Sequence, residues 1–194
     1  MKMALLSGHK INTPLSGRAQ QRVCGGINMD TKENLLAAFA GESQANRKYL
    51  AFAKKADEEG LKQIAKLFRA AAEAETVHAH AHLRVLGGIK TTKENLQEAV
   101  AGENHEFVNM YPAFIKTALE EGNKQAEISF RNAMVVEKIH HSLYSQALAA
   151  ANSSKDLPSA DIYVCQVCGN TVEGEAPEKC PICGVPKTRF TKIS

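Results

Sequence analysis

Hydrophobic positions recur at three- and four-residue intervals through most of this chain, the period of amphipathic helices. Asp30 and Glu33 have the spacing of a capping box, and Leu35, Leu36, Phe39 and Leu50 carry an apolar stripe until Glu58, Glu59 and Gly60 close it. A second helix is predicted from about Leu61, with Ile64, Leu67 and Phe68 turned inward, and Gly87 and Gly88 stop it. The third runs from about Thr92 to Glu121, bent at Pro112, and the fourth from about Asn123 to Ala151. Four long amphipathic helices predict an all-α four-helix bundle over residues 29–151. The period then fails. Residues 152–161, with Ser153, Ser154 and Pro158, read as a linker to a small module at 162–194. Extended, the linker spans roughly 35 Å, enough to let the module sit on its own bundle or on a neighbour's.

The helices come in two copies about sixty residues apart. Thr31 to Ser43 (TKENLLAAFAGES) matches Thr92 to Asn104 (TKENLQEAVAGEN), and Ala56 to His78 matches Ala118 to His140. Each copy delivers one Glu and then a Glu-x-x-His, so Glu42 pairs with Glu103, Glu75 with Glu137 and His78 with His140. Residues three apart share a helical face. One Glu from each of two helices and a Glu-x-x-His from each of the other two is the ligand set of the di-iron carboxylate bundles. Bound cations would offset the cost of burying several acids in one core. Of the remaining histidines, His80 is expected on the surface, His82 falls on the ligand face one turn on, and His105 and His141 lie off the ligand face.

Composition narrows the picture without changing it. The chain has 194 residues and a net charge of +3, too balanced to call for a nucleic-acid partner. No apolar run approaches the roughly 18 residues of a membrane span, so a soluble chain with no membrane partner is expected. Residues 1–28 carry Lys2, Lys10, Arg18 and Arg22 but no acid, and show no helical period. They read either as an organelle transit peptide or as an extended start ahead of Met29, disordered in both cases, with Cys24 incidental. Without a working leader the protein is expected in the cytoplasm.

The C-terminal module carries a second chemistry. Cys165-Gln-Val-Cys168 and Cys180-Pro-Ile-Cys183 are each followed by glycine, Gly169 and Gly184. Paired Cys-x-x-Cys knuckles are a strong four-thiolate metal signature. The glycines permit tight turns whose amides can point at sulfur. Spacing alone leaves iron and zinc both open.

The two parts together resemble the rubrerythrin family, over nearly everything after Met29. The resemblance rests on AGESQAN around Glu42, AEAETVHAH around Glu75 and His78, AGENHEFVNMYP around Glu103, VEKIHH around Glu137 and His140, and YVCQVCG with CPICGVPK. It implies a ferritin-like bundle with a rubredoxin-like domain, two irons in a carboxylate-bridged site and one iron on Cys165, Cys168, Cys180 and Cys183. It also implies a peroxidase that reduces hydrogen peroxide to water. Its electrons would come from an external rubredoxin or NAD(P)H-dependent reductase, since no nucleotide-binding Gly-rich loop is present. Glu106, whose counterpart in the first copy is Ala45, would be an extra ligand that alternates with His78 as the iron changes oxidation state. Tyr49 and Tyr111 match the family's site tyrosines. Two rivals compete with the peroxidase: a ferroxidase that handles iron, and an electron-transfer or zinc-stabilised interaction module.

Chain geometry adds an expectation about assembly. In a ferritin-like bundle helices two and three run parallel, so their connection must climb roughly 30 Å. Gly87 to Thr91 offers five residues, about 17 Å extended. A domain-swapped homodimer follows, with Glu42, Glu75 and His78 of one subunit meeting Glu103, Glu106, Glu137 and His140 of the other. Unwinding the start of helix three is the alternative.

Overall fold

The computed structural model describes residues 30–194; the expectations for residues 1–28 and for Cys24 fall outside the described residues. Five α-helical segments are followed by a small sheet: α1 (Thr31–Glu58), α2 (Lys62–Val85), α3 (Thr92–His105), α4 (Tyr111–Glu120), α5 (Lys124–Asn152), then β1 (Ile162–Cys165), β2 (Thr171–Glu173) and β3 (Phe190–Ile193). A π-helical turn, Glu106–Met110, joins α3 to α4, so the predicted third helix is one element interrupted by a wider turn. Pro112 sits in the first turn of α4, where its missing N–H costs least.

Helix starts follow the repeated sequence. Asp30 and Thr91 are N-caps of α1 and α3, each in a capping box closed by Glu33 and Glu94. The turns are repeated too. Gly60 (φ +78°) and Gly122 (φ +69°) occupy the left-handed region between α1 and α2 and between α4 and α5, where a side chain would be strained. Behind each glycine the next amide reaches back to close the helix end, Leu61 to Ala56 O and Asn123 to Ala118 O.

Packing divides the helices into two antiparallel pairs. α1 lies along α2, and α3 with α4 lies along α5; across the two pairs the contact is marginal. The seam of the first pair is lined by small residues, with Ala53, Ala56, Ala65, Ala72 and Ala79 all buried. Asn46 locks it from within, donating to Ala72 O at 2.6 Å and to Thr76 Oγ1 at 2.8 Å. Ile64 and Leu67, predicted to face inward, are 47% and 69% exposed. Of the predicted stripe, Phe68 packs on Tyr49 and Phe52, whereas Ile64 and Leu67 stay largely uncovered among the described residues, because the alanine seam and not the Leu and Ile face holds the hairpin together. Phe52, Phe114, Ile128 and Val135 are likewise exposed.

The connection between the pairs is short and ordered. Gly88 N–H bonds Leu83 O, and Asn95 bonds both backbone groups of Lys90. The start of α3 is not unwound. In the C-terminal module the three strands are antiparallel in the order β2-β1-β3, with Tyr163 opposite Val172 on one side and Lys192 on the other. Among the described helices none is long and apolar enough to cross a membrane.

Candidate metal centre

Each helix pair gathers half of the predicted carboxylate site. In the first, ligand atoms of Glu42, Glu75 and His78 lie within 4.8 Å of one another; in the second, those of Glu103, Glu137 and His140 do the same. The i, i+3 spacing acts as predicted, since His78 Nδ1 is 3.0 Å from Glu75 Oε2 and His140 Nδ1 is 2.8 Å from Glu137 Oε2. Glu103 Oε1 is 3.8 Å from His140 Nδ1. One chain thus holds two three-ligand clusters on separate hairpins.

In the second cluster the acids are buried close to one another. Burial, then the neighbouring carboxylates of Glu137 and Glu106, raise Glu103 to about 7. Burial and Glu137 also raise Glu106. Glu106 is not one of the closely grouped ligand atoms, but it feels Glu137 and His140. Acids that are buried and also repel one another are a donor set suited to a cation, whose charge offsets both costs.

The π-helical turn begins at Glu106 itself. A sequence signal for it was present and unread: Thr31 and Thr92 are 61 residues apart, whereas Ala56 and Ala118 are 62 apart. The second copy therefore has one additional residue, and the wider turn absorbs it. Downstream the copies return to register. Tyr49 tilts against Phe52 and Phe68 at ring distances of 6.3 and 6.2 Å, and Tyr111, Phe114 and Phe130 repeat the trio at 6.2 and 6.3 Å. Burial, with Glu137, Glu106 and Glu103, holds the Tyr111 hydroxyl above its ordinary range.

The four cysteines converge without forming disulfides, with Cys165 Sγ 3.7 Å from Cys183 Sγ and Cys168 Sγ 3.6 Å from Cys180 Sγ. A tetrahedral ion with bonds of about 2.3 Å needs sulfurs about 3.8 Å apart, so the cage fits. Gly169 (φ +83°) and Gly184 (φ +78°) make the knuckle turns, but their own N–H groups close onto Cys165 O and Cys180 O and do not point at sulfur. Other amides face the sulfurs. At Cys180 burial disfavours the thiolate, yet the amides of Cys183 and Ile182 prevail and bring it down to about 6.

The module sits on the helix that carries the second cluster. Gly169 approaches Val136, and Thr171 Oγ1 is 2.9 Å from His140 Nε2. Leu96, His140, Tyr144, Leu157, Ile162 and Thr171 line a cleft of about 300 Å³ between module and helices. Thr171 had no motif to mark it in the sequence.

Comparison with known proteins agrees with this combination. A family model described as Rubrerythrin matches residues 33–148, and one described as the rubredoxin-like domain of rubrerythrin matches residues 163–191. The chain belongs to the rubrerythrin family. It is 37% identical over 177 residues to Rubrerythrin-2 of Clostridium acetobutylicum, covering 84% of this chain and 96% of that one. To nigerythrin of Nitratidesulfovibrio vulgaris it is 42% identical over 176 residues, covering 83% and 85%. A solved structure of nigerythrin in its fully reduced, all-ferrous state matches with a TM-score of 0.50 at 34% identity, over 97% of this chain and all of that one.

As a rubrerythrin the protein is a ferritin-like helical chain with a rubredoxin-like domain, a di-iron protein of oxidative-stress defence and an oxidoreductase. Its cofactors are a di-iron pair and one iron in a four-cysteine site. Rubrerythrins are typically homodimeric. Among the described residues the other histidines stay outside the clusters: His80 is exposed, His82 half-buried on α2, His105 exposed beside Glu106, and His141 packs edge-on to Phe107 at 5.5 Å.

Proposed function

We propose that this rubrerythrin is a peroxidase that reduces hydrogen peroxide to water, with its di-iron site assembled between two chains. The observation that carries the reading is the seating of the four-thiolate module on α5 at His140, a position from which a bound iron would serve as electron carrier to the carboxylate cluster. An iron store has no need of that. The proposed division is a bundle at 29–151, a linker at 152–161 and an electron-transfer module at 162–194. Glu42, Glu75 and His78 of one subunit and Glu103, Glu106, Glu137 and His140 of the other would hold the iron pair; Cys165, Cys168, Cys180 and Cys183 would hold the single iron.

Support for the exchange comes from the two marginally touching hairpins, their exposed Phe52, Leu67, Phe114 and Ile128, and the tight connection between them. Burying such side chains is worth about 1.5–3 kcal/mol each, so the faces drive pairing with a second copy. When bound, the iron pair supplies two electrons for cleavage of the O–O bond; two protons complete two waters. Tyr111 keeps its proton at neutral pH and remains a hydrogen-bond donor beside Glu137 and Glu106. Tyr49 takes the matching place in the other half. Glu106 and His78 are the proposed alternating ligands, the hard carboxylate for the oxidised state and the neutral imidazole for the reduced one. An external rubredoxin or NAD(P)H-linked reductase would replace the electrons through the four-cysteine iron.

The test is to reduce the protein without oxygen and mix it with hydrogen peroxide or with oxygen while recording absorbance. Each reduced site should consume a single peroxide, far faster than it consumes oxygen; the reverse preference would overturn the peroxidase. A Glu106→Ala protein that kept both irons and full turnover would remove Glu106 from the mechanism.

A further inference from the structure

We infer that Thr171, a residue of the rubredoxin-like module, is a positioning residue for the di-iron site: it fixes which nitrogen of His140 meets the metal. The inference rests on the reading of His140 as an iron ligand. Thr171 Oγ1 has two partners, His140 Nε2 at 2.9 Å and Gly169 O at 3.1 Å. A carbonyl can only accept, and a threonine hydroxyl has one proton to give. That proton goes to Gly169 O, so the bond from His140 must be donated by Nε2–H. The nitrogen left for a cation is then Nδ1. Nδ1 is the atom already lying 2.8 Å from Glu137 Oε2 and 3.8 Å from Glu103 Oε1, inside the carboxylate cluster.

The contact also sets the two histidines apart. The repeat makes His78 and His140 equivalent, and each bonds the Glu three residues before it through Nδ1. Only His140 has a partner on Nε2 among the described residues, and that partner belongs to the module. His140 is held at both ends of its ring, whereas His78 is held at one. The clamp joins the two metal sites as well. Gly169 directly follows Cys168, and Asn170, between Gly169 and Thr171, donates to Cys180 Sγ at 3.8 Å. Any shift of the module on α5 would therefore reach the ligand ring and the sulfur cage together.

The test compares Thr171→Val, which keeps the shape and removes the hydroxyl, with Thr171→Ser, which keeps the hydroxyl. In full-length protein carrying diamagnetic zinc, nitrogen-15 NMR should show a slowly exchanging His140 Nε2 proton in the parent and in Thr171→Ser, and its loss to rapid exchange in Thr171→Val. In iron-loaded protein a chelator should strip the carboxylate-bound iron about ten- to a hundredfold faster from Thr171→Val, the usual cost of losing a hydrogen bond behind a metal-bound histidine. The red four-cysteine absorbance should be unchanged. A Thr171→Val protein with parent-like proton protection and iron release would overturn the inference, and so would equal losses in the Val and Ser variants, which would place the effect in packing. A His140→Ala protein that retained all its non-thiolate iron would instead defeat the ligand reading beneath it.

Discussion

At the residue scale the two copies use the same cations on different acids. Lys62 and Arg69 both reach Asp57, at 3.2 and 2.7 Å; their repeat mates Lys124 and Arg131 both reach Glu127, at 2.8 and 2.7 Å. Hydrogen bonds from Arg69, then Lys62, lower Asp57, and those from Lys124, then Arg131, lower Glu127. A depressed acid adds stability above its ordinary value and loses it as pH falls through the lowered one. Denaturant melts should therefore show stability falling only below about pH 4.5 for these groups. In Glu127→Gln that part of the acid dependence should be weaker, and an unchanged profile would show the Lys124 and Arg131 clamp to be inert. Sequence pattern exposed the cations as a repeat; it could not say which acid each would meet, because Asp57 lies on α1 while Glu127 lies on the same helix as its partners.

At the element scale the instructive feature is the π-helical turn at Glu106–Met110. An additional residue in a helix rotates everything after it by about 100° unless a wide turn absorbs it. The turn brings Glu106 near Glu137 and His140 while Tyr111 still lands in an aromatic trio equivalent to that of Tyr49. Deleting the exposed Val108 should convert the turn to regular α-helix and remove that compensation. The expected outcome is a protein that keeps its red four-cysteine iron but has lost the parent's di-iron spectrum. A deletion variant with the parent's spectrum would show that the turn is incidental. The predicted helix boundaries were otherwise close, since capping boxes and left-handed glycines are local signals. The π turn escaped because it is written in the difference between two repeat spacings.

At the scale of the whole molecule the question is which hairpin completes which site. If two chains exchange hairpins, a protein lacking ligands in the first hairpin (Glu75→Ala with His78→Ala) and one lacking them in the second (Glu137→Ala with His140→Ala) should each be inactive. Refolded together, the mixed dimer would contain one site with all ligands intact, so peroxidase activity and di-iron absorbance should return to part of the parent level. If each site belongs to a single chain, mixing restores nothing. A monomer on a sizing column at working concentration would also sink the exchange.

Much of this protein is set by local sequence. Periodicity, caps and turn glycines determine the helices; the repeat singles out Glu42, Glu75, His78, Glu103, Glu137 and His140; and paired Cys-x-x-Cys knuckles determine the sulfur cage. Caps, turns and the Glu-x-x-His and Cys-x-x-Cys spacings are short-range rules, each satisfied within a few residues, and the repeat only shows them twice. Tertiary structure decided what depends on groups far apart in the chain. It split the ligands between two hairpins, because an alanine seam brings α1 onto α2 and leaves the larger apolar faces uncovered. It also brought Thr171 onto His140, 31 residues away, through packing of a β module on a helix. No periodicity encodes that contact; it exists only once both folds have formed and found each other.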